Sequence, residues 1–107
     1  MKAFYVFFLT LLRISGAIGP LEIRSTKSYL VPGDTLEMSC NNPQGNFGDF
    51  EWTKLNGYIP RNAQILGPKL RLNNMQISDR GIYRCSFRSR SSQSIYADFV
   101  VDFQGYF

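Results

Sequence analysis

Asp79-Arg80-Gly81-Ile82-Tyr83-Arg84-Cys85 is the stretch on which the fold turns. In an extended strand alternate residues share a face, so Tyr83, Cys85 and the following Phe87 point one way. Arg84, Ser86 and Arg88 point the other way. Working outward, Leu70 and Leu72 mark a strand before it. Leu36, Met38 and Cys40 alternate with Glu37 and Ser39, and Phe50 and Trp52 alternate with Glu51 and Thr53. Leu21-Glu22-Ile23-Arg24 reads as a half-buried first strand, and Ala97, Phe99, Val101 and Phe103 as the last. Pro32-Gly33-Asp34 and Asn56-Gly57 are turn signals, while 41–48 and 88–94 read as polar loops. Residues 58–68 hold two prolines and a glycine, enough room for one short edge strand. Short strands between turns, with no helical periodicity, predict an all-β sandwich or barrel.

Two further spacings narrow the choice. Cys40 precedes Trp52 by twelve residues, and Tyr83 stands two residues before Cys85. Asp79-x-Gly81-x-Tyr83-x-Cys85 resembles the signature of immunoglobulin superfamily domains. The short interval from Trp52 to Cys85 is similar to the intermediate set. Residues 58–85 (YIPRNAQILGPKLRLNNMQISDRGIYRC) resemble the repeated immunoglobulin modules of perlecan, the basement-membrane heparan sulfate proteoglycan core protein. The resemblance implies an immunoglobulin-like two-sheet antiparallel β-sandwich with one inter-sheet disulfide. It implies that Cys40 and Cys85 bridge the sheets and that Trp52 packs over the bridge. It implies that the Tyr83 hydroxyl bonds back to backbone. Trp52, Leu72 and Tyr83 are the expected core residues.

The 107 residues divide into a leader and one domain. Lys2, the apolar run AFYVFFLTLL from Ala3 to Leu12, and the small residues Ser15, Gly16 and Ala17 have the layout of a secretory signal peptide. Arg13 interrupts the run well short of the roughly 20 apolar residues a membrane span requires. Residues 1–17 are therefore expected to be removed, leaving 18–107 as a secreted, extracellular domain with no membrane insertion of the mature chain. Its two cysteines allow a single intramolecular disulfide, which suits an oxidising compartment. Without Lys2 and Arg13, ten Lys and Arg stand against eight Asp and Glu, a net of +2. That balance is too mild to indicate nucleic acid.

Catalysis has little to draw on. Histidine is absent, both cysteines belong to the bridge, and the acids are scattered. No enzyme activity, cofactor or metal site is expected. Asp79 is read as a structural cap or ion-pair partner at the turn, with Arg61 a candidate mate. The candidate binding residues are Arg84, Arg88, Arg90 and Tyr96. Arg84 is expected to be neutralised by outward residues of both neighbouring strands, Glu51 and Thr53 on one side and Tyr96 and Asp98 on the other. Arg88 and Arg90 stay available. Ile82 and Val100 add outward apolar area, and Phe47, Tyr106 and Phe107 are further aromatic candidates. The expected function is a secreted binding or adhesion module, of extracellular matrix or cell surface, that recognises an extracellular protein. The alternatives are a module that binds sulfated, heparin-like glycan, or a structural module of a larger matrix proteoglycan.

Overall fold

The computed structural model describes residues 21–43, 48–90 and 94–103. The leader, Phe47, Tyr106 and Phe107 lie outside the described residues. Among the described residues seven strands follow in chain order: β1 Glu22–Ser25, β2 Leu36–Asn41, β3 Gly48–Lys54, β4 Gln64–Leu66, β5 Lys69–Leu72, β6 Gly81–Ser89 and β7 Ser94–Val101. They form two antiparallel sheets, one ordered β1-β2-β5-β4 and the other β3-β6-β7. A 3₁₀ turn, Ile77–Asp79, leads into β6.

The period-2 pattern is obeyed on every central strand. Leu36, Met38 and Cys40 of β2, Leu70 and Leu72 of β5, and Tyr83, Cys85 and Phe87 of β6 are all buried. Their alternates reach solvent to varying degrees. Facing one another, these inner sides make one core that also takes in Trp52 and Val101. Cys40 and Cys85 are bonded across it, with Cα atoms 6.4 Å apart. Trp52 sits directly opposite Cys85 in the β3–β6 ladder.

The signature before β6 has a local explanation. Gly81 has φ +148°, a backbone region that favours glycine. A Cβ there would also meet the Lys54 side chain. Lys54 crosses at this point, its Nζ donating to the Ser78 carbonyl at 3.1 Å and standing 5.5 Å from the Tyr83 ring centroid. Asp79 accepts twice: its carboxylate from the Gln76 amide at 2.8 Å, its carbonyl from the Tyr83 hydroxyl at 2.6 Å. No ion pair joins Asp79 to Arg61 among the described residues. The backbone and the tyrosine satisfy Asp79 instead.

Tyr83 is fully buried, and burial pushes its phenol well above the ordinary range, helped by the nearby Asp79 charge. A group whose pKa is raised by folding contributes stability that is complete below its unfolded value. That contribution is lost as pH rises above about 10. Tyr83→Phe is expected to lose roughly 1 kcal/mol at neutral pH, because the Asp79 carbonyl loses its donor. It should also fall less steeply than the parent above about pH 10. Urea unfolding at a series of pH values measures both effects.

Three boundaries differ from the expectation. The 41–48 loop is shorter, because Asn41 ends β2 and Gly48 begins β3. β6 runs on through Ser89 and β7 begins at Ser94, so Arg88 pairs with Ser94 inside the ladder. β7 ends at Val101, yet Phe103 still enters the core beyond it. Met75 and Leu30 are buried from irregular segments. Met75 is locked there by backbone bonds from Gly33 to its carbonyl and from its amide to Asp34.

Candidate functional site

The outer face of β3-β6-β7 gathers the candidate residues. Its registers set four rows running from strand to strand. Asp98, Arg84 and Thr53 form one, and Tyr96, Ser86 and Glu51 the next. Ser94, Arg88 and Asp49 form a third, while Val100 and Ile82 begin the fourth at the opposite end. Tyr96 and Val100 are 57% and 66% exposed, which makes them available for contact.

Arg84 is held in place. Its Nε donates to one Asp98 carboxylate oxygen at 2.7 Å and its Nη2 to the other at 3.0 Å. A paired fork of this kind fixes the guanidinium plane. The same guanidinium lies 3.8 Å from the centroid of the Tyr96 ring, a cation–π contact. The Arg84 bond holds the Asp98 carboxyl below its usual range, and Asp98 in turn raises Arg84. The expected partner acid is thus present on β7 only. On the β3 side Arg84 faces Thr53, and Glu51 falls one row away opposite Ser86.

Arg88 is exposed at the end of β6 with no ion pair among the described residues. Sequence reading missed that Asp49 stands directly across from it. That placement depends on the β3–β6 register, and alternation alone does not reveal it. Arg90 is exposed just past β6. The structure therefore brings Arg84, Arg88 and Tyr96 onto one face and leaves Arg90 at its rim.

A cleft of about 560 Å³ opens on this face, lined in part by Asp49, Glu51, Ser86, Arg88 and Tyr96. Its floor is the short side chain of Ser86, between the longer Glu51 and Tyr96 of the flanking strands. The outer face of the other sheet differs. Glu37, Lys69 and Arg71 alternate there with buried neighbours, and β1, β2, β4 and β5 carry no aromatic residue. Among the described residues no group of three His, Cys, Asp or Glu could hold a metal. No helix among them is long and apolar enough to cross a membrane.

No family model matches the sequence. The basement membrane-specific heparan sulfate proteoglycan core protein of Mus musculus is 33% identical over 78 residues, 73% of this chain and 2% of that protein. Cell adhesion molecule 4 of Xenopus laevis is 31% identical over 76 residues, 68% of this chain and 19% of that protein. Contactin-5 of Rattus norvegicus is 30% identical over 82 residues, 70% of this chain and 8% of that protein. The chain thus spans a small part of each relative. The full ectodomain of mouse nectin-like molecule 4 superposes with a TM-score of 0.68 at 24% identity, over 82% of this chain and 31% of that one. That likeness concerns the fold. A disulfide-bridged sandwich with this strand order and tyrosine corner defines an immunoglobulin-type domain. The chain belongs to the immunoglobulin superfamily, and its relatives there include a matrix proteoglycan core protein and cell adhesion molecules.

Proposed function

We propose that this chain is an extracellular binding module that engages a protein partner through the outer face of β3-β6-β7. The observation that carries the reading is the fixed, exposed Tyr96, pinned by Arg84, which is itself clasped by Asp98. Tyrosine and arginine are enriched at protein–protein hot spots, and an immobilised aromatic loses little entropy on contact. Ile82 and Val100 add apolar area on the same face. The likeness to cell adhesion molecules and to a matrix proteoglycan core protein supports an adhesive role at the cell surface or in the matrix. Export fits the same reading, with cleavage after Ala17 or Gly19 leaving a mature N-terminus between Ile18 and Pro20. N-terminal sequencing of secreted protein reads that terminus directly.

Sulfated glycan is the second reading, favoured by the exposure of Arg88 and Arg90 and the commitment of Arg84 to Asp98. Asp49 beside Arg88 works against it. One capture experiment separates the two. The oxidised domain, residues 18–107, is immobilised and exposed to extracellular extract with and without soluble heparin. Protein retained in both conditions supports the protein-binding reading. Retention abolished by heparin, with salt-sensitive elution of the domain from a heparin column, supports the glycan. In that second case Arg88→Ala and Arg90→Ala should lower the elution salt, and Arg84→Ala should not.

A further inference from the structure

The cleft over Ser86 has a charge balance that selects its occupant. Arg84 is spoken for by Asp98, so its charge is compensated. Glu51 and Asp49 form no ion pair among the described residues, and neither does Arg88. Two uncommitted carboxylates thus face one uncommitted guanidinium. An anion entering between Glu51 and Tyr96 would meet like charge. A cation would meet a carboxylate without an ionic partner and an aromatic wall.

The size points the same way. Strands lie about 4.8 Å apart, so β3 and β7 are separated by about 10 Å across β6. Glu51 and Tyr96 narrow that span from both sides, and Ser86 between them leaves the depth. A single extended side chain fits such a slot, and a folded surface does not. An arginine or lysine carries an apolar stem that packs along the Tyr96 ring and a charged head that reaches Glu51. The Arg84–Asp98 clasp supports the wall, because it holds the Tyr96 ring in position before any ligand arrives.

We infer that the cleft between Glu51 and Tyr96 receives an arginine or lysine side chain presented by a segment of the partner protein. The inference rests on the protein-binding face proposed above and names the chemistry that face selects. It assigns Glu51 as the charge partner and Tyr96 as the packing wall. It also makes Arg88 an opposing charge, so that its removal strengthens the contact.

The test uses the oxidised domain, residues 18–107, labelled with nitrogen-15. It is titrated with acetyl-Gly-Arg-Gly-amide and, separately, with acetyl-Gly-Glu-Gly-amide. The arginine peptide is expected to give saturable shifts at the amides of Glu51, Ser86 and Tyr96. Glu51→Gln should weaken that binding roughly fivefold. Arg88→Ala should tighten it, and the glutamate peptide should leave these amides unmoved. Absence of saturable shifts with the arginine peptide overturns the inference, as does equal binding of the glutamate peptide or of the Glu51→Gln variant. Should the arginine peptide fail while protein capture still depends on Tyr96, the cleft assignment falls alone. Should capture also be indifferent to Tyr96, the binding face falls with it.

Discussion

The double variant Cys40→Ser, Cys85→Ser is expected to lose ~2–5 kcal/mol of stability and to populate unfolded chain at 37 °C. The bridge joins residues 45 apart in sequence, and closing a loop of that length restricts the unfolded chain by ~4 kcal/mol in the chain-entropy model. A domain of this size has little core to spare against such a loss. The bond also ties β2 of one sheet to β6 of the other, each an inner strand of its sheet. Its removal weakens the contact between the layers, beyond the entropy of the free chain. Urea unfolding of oxidised parent and double variant measures the difference. A variant as stable as the parent would show that the facing apolar surfaces hold the sheets unaided.

Trp52→Ala is expected to cost about 3–5 kcal/mol, the range for emptying a large aromatic site. Trp52 is only 4% exposed and stands opposite Cys85, inside the cluster that contains both bridge residues. Its indole nitrogen is buried without a hydrogen-bond partner among the described residues. The residue therefore stabilises through bulk rather than through its donor. Trp52→Phe removes that orphaned donor while keeping an aromatic ring, and it should recover much of the loss. Denaturation midpoints of the two variants give the comparison. Equal destabilisation by phenylalanine and alanine would contradict the packing account.

Most of the sandwich was legible because strand alternation leaves few choices. Once Tyr83, Cys85 and Phe87 face inward, Arg84, Ser86 and Arg88 must face out, and the structure has them so. Register was harder. Facing is a property of one strand, whereas a row depends on how two strands are aligned, and here 39 residues separate Asp49 from Arg88. Hence Glu51 was expected near Arg84 but lies one row on, while the Asp49–Arg88 apposition went unseen. Met75 was illegible for a different reason. It belongs to no strand, and its burial follows from two backbone bonds to the Gly33–Asp34 turn. The part played by Lys54 at Gly81 likewise needed three dimensions, since the two residues meet only after β3 and β6 pair.

Capture of partner protein by parent and by two surface variants tests the binding face most directly. Tyr96→Arg places a charge and a longer side chain on the β3-β6-β7 face, at a position exposed enough to spare the fold. Arg71→Glu makes a comparable change on the outer face of the other sheet, where Arg71 is exposed on β5. Both variants are first matched to the parent in unfolding midpoint. The same protein bands retained by the parent should be lost with Tyr96→Arg and kept with Arg71→Glu. Retention that survives Tyr96→Arg and disappears with Arg71→Glu would place binding on the opposite sheet and contradict the account.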